Sequence, residues 1–186
     1  MEYTDAVNNW DELNLKEDLL RGIYAYGFED PSPIQKKAIR PIIDGKDVIA
    51  QAQSGTGKTG AFTVAAIQSI DENVKEVQCL IMAPTRELAT QIHTVLNSIG
   101  TFIENLNAKL FVGGIAMEND IKELQDRPHI VVGTPGRIHD LIRRKKLNTK
   151  SIKNLIIDEA DEMLSSGFKD QIYNIFQFLV TNIQIC

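Results

Sequence analysis

The chain has 186 residues, 43% hydrophobic, 24% charged and 6% aromatic, with 20 basic and 25 acidic side chains and a formal net charge of −5. This length suits one domain with a real buried core, and the apolar fraction excludes a disordered chain. The acidic balance excludes a protein that coats nucleic acid by bulk charge, but not one with a narrow, shape-reading nucleic-acid site.

Residues 1–9 are polar. Leu15, Leu19 and Ile23 then recur at helical spacing, and Gly27 is a helix stop. Ser32 before Pro33 predicts an N-cap and a first helical residue. Asp44-Gly45 turns the chain, and an alternation begins. Val48-Ile49-Ala50 reads as a buried strand, followed by a loop and a helix over Lys58–Ile70. Strand Cys79–Met82 leads to a helix from Arg86 to about Ile99, and strand Leu110–Val112 to a weaker helix over Met117–Leu124. Strand Ile130–Val132 leads to a helix from Pro135 to about Arg144, and strand Leu155–Ile157 to helical sequence from about Glu162 to Leu179. Ile183–Cys186 reads as another strand beginning, which points to a fragment of a longer protein. Continuous apolar strands separated by helices predict a parallel sheet covered on both faces.

No apolar run approaches the about 20 residues of a membrane span, and Met1–Asp5 is acidic with no apolar signal core. Cys79 and Cys186 lack CxxC spacing, which points to a reducing compartment and to neither a disulfide framework nor a zinc site.

Ala52-Gln53-Ser54-Gly55-Thr56-Gly57-Lys58-Thr59 lies between a predicted strand and a predicted helix. It follows the phosphate-loop pattern G-x-x-x-x-G-K-S/T, with Ala52 in place of the first glycine. Gly55 and Gly57 let successive amides turn inward as an anion nest at a helix N-terminus. Lys58 is then placed for the β- and γ-phosphates, and the Thr59 hydroxyl for Mg²⁺. Such a site also needs an acid for the metal and a group that positions water. Asp158-Glu159-Ala160-Asp161 directly follows an apolar strand, which makes Asp158 a Mg²⁺ ligand, partly through water, and Glu159 the group that orients or deprotonates water. A glycine turn with an exposed lysine, and an acidic helix start, are the plain readings of each segment taken alone.

Together these two segments resemble the DEAD-box RNA helicase family. The resemblance covers essentially the whole chain, and its surrounding residues are most similar to the translation-initiation branch. Gly27-Phe28-Glu29-Asp30-Pro31-Ser32-Pro33-Ile34-Gln35 resembles the family's Q motif. Pro84-Thr85-Arg86-Glu87-Leu88-Ala89, Gly113-Gly114 and Thr134-Pro135-Gly136-Arg137 match further motifs in family order. The resemblance implies a RecA-like three-layer α/β sandwich with a mainly parallel, twisted sheet flanked by helices. It divides the chain into an N-terminal extension, 1–26, and an ATP-binding domain, 27–186, whose partner helicase domain is not in this sequence. The nucleotide site would comprise Gln35, Gln53, Ser54, Gly55, Thr56, Gly57, Lys58 and Thr59, with ATP and Mg²⁺ bound. Gln35 would select adenine, since an amide both donates and accepts. Trp10 sits where the family carries an isolated aromatic at the adenine, and core packing is an equal reading; Phe28 reads as plain packing. Asp161 would couple the two domains.

The other three motifs each follow a strand, at the carboxyl edge where open α/β sheets bind ligands. Thr85 and Thr134 open helices, whose free amides suit a phosphate. Arg86 and Arg137 can fork onto phosphates, and Gly113-Gly114 lets backbones approach. Pro84, Thr85, Arg86, Gly113, Gly114, Thr134, Pro135, Gly136 and Arg137 therefore outline a track for single-stranded RNA or mRNA, with surface ion pairs as the plain reading of both arginines. Arg143–Lys146 reads as a solvated helix end, and His93, His129 and His139 share no ligand spacing.

The resemblance implies an RNA-dependent ATPase and helicase: monomeric, cytoplasmic, away from membranes, and served by translation-initiation scaffold proteins. An ATP-gated RNA clamp of the exon-junction type, with slow turnover and a nuclear location, is the alternative. A small-molecule kinase fits less well, because a long adenine-recognition segment precedes the phosphate loop.

Overall fold

Short apolar runs supply the strands. In the computed structural model, which describes residues 7–53, 55–165 and 167–186, β1 (Cys79–Met82), β2 (Ala108–Phe111), β3 (Ile130–Gly133), β4 (Asn154–Ile157) and β5 (Gln184–Ile185) form one sheet. The order is β2-β3-β1-β4-β5, and every pairing is parallel. Side chains alternate between the faces. Cys79, Ile81, Ile130, Val132 and Ile156 join one core, and Leu80, Met82, Val131 and Leu155 the other.

The first core is covered by α1 (Glu17–Tyr26), α2 (Pro33–Ile43), α3 (Lys58–Ser69) and α4 (Arg86–Ile99). The second is covered by α5 (Met117–Leu124), α6 (Pro135–Arg143), α7 (Ala160–Ser165) and α8 (Lys169–Phe176). This is the expected three-layer α/β sandwich. Trp10 and Leu13, in a short 3₁₀ turn, share the first core with Leu19 and Ile23 of α1. α1 ends at Gly27 in the left-handed region, and α2 opens with Ser32 capping the Gln35 amide. At Gly22 the crossing of α1 over α4 is so close that a Cβ would lie 1.8 Å from the Ile99 carbonyl oxygen.

The carboxyl ends of the strands are level. The Asp158 N–H donates to Met82 O (3.0 Å), the Ala83 N–H to Gly133 O (3.1 Å) and the Thr134 N–H to Phe111 O (3.3 Å). The residues just past β4, β1 and β3 therefore stand side by side, each fixed by the last carbonyl of the neighbouring strand.

Three expectations need correction. Val48-Ile49-Ala50 is not a buried strand: Ile49 is 100% exposed, while Val48 and Ala50 pack against the first core. Side chains have taken the bonds a ladder would use. The Asp47 carboxylate accepts from the Ile185 N–H (2.8 Å), and Gln184 Nε2 donates to Lys46 O (2.6 Å), leaving one backbone bond, Val48 N–H to Ile185 O (3.2 Å). The helix expected over 162–179 is two helices, α7 and α8, separated around Gly167, whose φ is +85°. The second strand runs Ala108–Phe111 rather than Leu110–Val112, because its last ladder bond reaches Phe111 O and Gly113-Gly114 then leaves the sheet.

Candidate nucleotide and nucleic-acid site

Gly55 and Gly57 have φ of +82° and +93°, and Gly57 is the N-cap of α3 with no side chain capping the helix. The first amides of α3 therefore open onto a cavity of about 270 Å³ that Phe28, Gln53, Lys58, Thr59, Asp158 and Glu159 help to line. Free helix amides with a lysine beside them suit a polyphosphate. Thr56 closes the loop, donating from its hydroxyl to Gln53 O (2.6 Å). Ser54 lies outside the described residues.

Across this cavity stands the acidic segment. Lys58 Nζ is 3.8 Å from Asp158 Oδ1 and 3.5 Å from Glu159 Oε1. Asp158 is buried, and its Oδ1 accepts the Glu159 N–H (3.0 Å). Burial raises its carboxyl above the ordinary carboxylate range, opposed by the Lys58 charge and that hydrogen bond. A divalent cation would relieve this, since a buried carboxylate next to free phosphate seats is the donor set a Mg²⁺ held mainly by phosphate and water requires. Glu159 has φ +51°, a conformation uncommon for a side chain of its size and one that clusters at functional sites. Asp161 is exposed on α7.

Gln35 is buried and already bonded at both ends. Its Oε1 accepts from the Ser32 N–H (2.8 Å), and its Nε2 donates to Gly57 O (3.0 Å). A Cβ at Gly57 or Gly60 would come within 2.7 Å and 2.6 Å of that Nε2, so both glycines make room for it. The amide thus braces the phosphate loop, while one N–H and one lone pair stay uncommitted for a base. Trp10, read equally as an adenine contact and as core, is fully buried and stacks on Phe28 at 5.9 Å, which puts Phe28 rather than Trp10 on the cavity wall.

The three motifs assigned to RNA share the sheet's carboxyl edge with Asp158. Thr85 caps α4, its hydroxyl accepting from the Leu88 N–H (3.2 Å), and the exposed Arg86 lies against Gly114. Pro84 and Pro135 are buried, Gly113 and Gly136 half-buried. Thr134 is the N-cap of α6, but its side chain makes no cap bond.

Against this geometry the comparisons are specific. The DEAD/DEAH box helicase family pattern matches residues 32–186. The chain belongs to the DEAD/DEAH box helicase family. It is similar to the ATP-dependent RNA helicase eIF4A of Pyricularia oryzae, with 57% identity over 98% of this chain and 46% of that protein. The eIF4A of Neurospora crassa is 56% identical with the same coverage. The chain thus spans about half the length of the curated relatives it matches. Among solved structures, a DEAD box protein from the hyperthermophile Methanococcus jannaschii superimposes with a TM-score of 0.91 at 39% identity, covering 96% of this chain and 49% of that one. Saccharomyces cerevisiae Dbp5, bound to RNA and ADP BeF3, gives 0.88 at 37%, covering 96% and 45%.

One member of the expected phosphate track of this DEAD-box lobe is committed elsewhere. Arg137 Nη1 bonds Asp120 Oδ2 (2.7 Å) and Nη2 bonds Ile115 O (2.7 Å), so its fork is filled by protein. The ion pair that is the plain reading of Arg137 is present here, and it is buried rather than superficial. Arg86 forms no ion pair among the described residues. Two further residues reach the site, Phe28 at the nucleotide cavity and Gln171 beside the α6 N-terminus. Phe28 read as packing because its ring is apolar. Gln171 of α8 lies beside Gly136, with its Oε1 buried and without a hydrogen-bond partner among the described residues; its helical position alone carried no signal.

The remaining candidates are structural. His129 Nδ1 accepts the Asn107 N–H (3.1 Å), and His93 Nε2 lies 2.8 Å from Ala108 O. Arg143 is exposed and pairs with Asp140 (2.6 Å), as a solvated helix end should. Both cysteines are free, and burial pushes their thiols up to about 12 at Cys79 and about 11 at Cys186, which keeps them protonated and unreactive. No helix among the described residues is long and apolar enough to cross a membrane.

Proposed function

We propose that this chain is the ATP-binding lobe of an RNA-dependent ATPase and helicase that unwinds mRNA in translation initiation. The observation that carries it is Lys58, which stands between the open amides of α3 and the Asp158-Glu159 pair. The α3 amides and Lys58 bind the phosphates. Thr59 and Asp158 hold Mg²⁺, which when bound neutralises phosphate charge and orients the reacting oxygens. Glu159 orients water and accepts its proton. Gln35, supported by Phe28 and behind it Trp10, reads the adenine edge and transmits the fit to Gly57.

RNA runs along the neighbouring strand ends. Thr85, Gly113-Gly114 and the first free amide of α6, at Gly136, offer N–H groups to successive phosphates, with Arg86 as the cation. This reading needs no base contact, which suits an acidic lobe that must release RNA. The other half of the machine is a second RecA-like domain, met through Asp161. Initiation scaffold proteins as partners, a cytoplasmic location and a monomeric state belong to the same reading.

The test is ATP hydrolysis with and without RNA, with GTP as control, by this lobe alone and by the lobe joined to a second helicase domain. The joined protein should show RNA-stimulated, ATP-selective turnover. The lobe alone should bind adenine nucleotide weakly and show little stimulation, because an arginine finger from elsewhere is worth roughly 10³–10⁵ in rate where measured. Strong stimulation of the isolated lobe would contradict this division of labour.

Gln35→Ala removes both the base contact and the brace on Gly57. ATP affinity should fall about tenfold, ~1.4 kcal/mol, while GTP affinity should change less. Equilibrium titration with fluorescent nucleotides would show it, and unchanged ATP affinity would remove Gln35 from the site.

A further inference from the structure

The double-glycine loop has no ladder partner, yet it carries part of the proposed RNA track. Two arginines hold it. Arg86 packs against Gly114, where a Cβ would sit 2.5 Å from Nη2. Arg137, from the first turn of α6, donates to Ile115 O (2.7 Å), one peptide further on. The second contact is in turn aimed by Asp120, whose Oδ2 takes the other arm of the same guanidinium (2.7 Å). Asp120 belongs to α5, the helix into which the loop runs. Loop, α5, Asp120, Arg137 and Ile115 O therefore form a closed circuit that joins the double-glycine loop to the α6 N-terminus.

The pair is costly to build. Asp120 is 3% exposed, and the Arg137 side chain 12%. Burial raises the Asp120 carboxyl above its ordinary range, and Arg137 offsets this only in part. Buried ion pairs contribute little net stability compared with packed apolar residues, and fixing one geometry is a role documented for some of them. The geometry fixed here is the spacing between two segments that proposed phosphate contacts must bridge.

We propose that Asp120 is a positioning residue for RNA: it holds Arg137 on the Ile115 carbonyl and so sets the separation between Gly113-Gly114 and the first turn of α6. This rests on the RNA reading above. It assigns Arg137 to the loop and away from phosphate.

The experiment uses the protein in which this lobe is joined to its second helicase domain. The RNA concentration for half-maximal ATPase stimulation, kcat, the KM for ATP and the thermal midpoint are measured for Asp120→Asn, Asp120→Glu and the paired variant Asp120→Leu/Arg137→Met. Asp120→Asn should raise the RNA requirement about tenfold, with the KM for ATP within about twofold of the parent. Asp120→Glu should recover most of the RNA affinity by restoring the charge. The paired variant, which leaves no unpaired buried charge, should fold and still need more RNA. It decides the matter if Asp120→Asn does not fold.

An unchanged RNA requirement in the folded variants overturns the proposal. So does a parallel loss of RNA and ATP affinity together with a lowered midpoint, the mark of a merely structural pair. A tighter RNA interaction in Asp120→Asn also overturns it, since it would make Arg137 a phosphate ligand that Asp120 restrains. Arg86→Ala separates the two readings. If it weakens RNA and the Asp120 variants do not, only the positioning role fails; if neither does, the RNA track itself is wrong.

Discussion

In the protein that joins this lobe to a second helicase domain, replacing Glu159 with glutamine is expected to lower ATP turnover by about 10²–10⁴-fold while ATP binding persists. The substitution keeps shape and hydrogen-bonding reach but removes the proposed proton acceptor. Glu159 is one-third exposed, faces Lys58 at 3.5 Å and sits past the end of β4 in a left-handed conformation. Nothing in that environment requires its charge for folding, since Asp158 already accompanies Lys58. Lys58→Ala differs in kind, because it removes a proposed phosphate contact and should abolish binding and turnover together. Single-turnover hydrolysis and nucleotide titration, run in parallel on both variants, separate the two roles. A Glu159→Gln protein that hydrolyses at the parent rate would move the proton acceptor to another residue.

Gly22→Ala is expected to destabilise the fold by about 3 kcal/mol, the upper part of the range for forcing atoms into a filled core. Helix propensity alone gives the opposite sign, since alanine outranks glycine by about 1 kcal/mol in a helix. Contact decides. The added methyl would meet the Ile99 carbonyl oxygen, a backbone atom that no rotamer change can move aside. Separating α1 from α4 would loosen the first core around Leu19 and Ile23. For a chain of this size the thermal midpoint should drop by about 6–12 °C, at 2–4 °C per kcal/mol. A midpoint that holds or rises would mean that α1 does not lie this close to α4.

The sequence revealed elements whose pattern is local. Apolar runs of three or four residues marked β1, β3 and β4, and a serine before a proline marked the start of α2. It failed where a long-range partner decides the outcome. Val48-Ile49-Ala50 has strand composition, but Asp47 and Gln184 intercept the bonds, and no pattern within the segment records them. The site shows the same division. The phosphate loop and the Asp158-Glu159 pair were legible because their chemistry fixes residue type at fixed spacing. Arg137 and Asp120 were not, since an arginine after a helix-opening proline looks the same whether it meets RNA or a buried aspartate seventeen residues earlier.

The level strand ends have a thermodynamic consequence. Asp158, Ala83 and Thr134 are linked in series through the terminal carbonyls of adjacent strands. The proposed metal seat and the proposed RNA cap are thus two positions on one hydrogen-bonded rung, with Ala83 between them. A ligand that displaced this rung at one seat would displace it at the other. Linkage then requires reciprocity: the factor by which bound nucleotide tightens RNA must equal the factor by which bound RNA tightens nucleotide. In such a lobe, loss of the nucleotide's terminal phosphate would itself be the signal that lowers the grip on RNA.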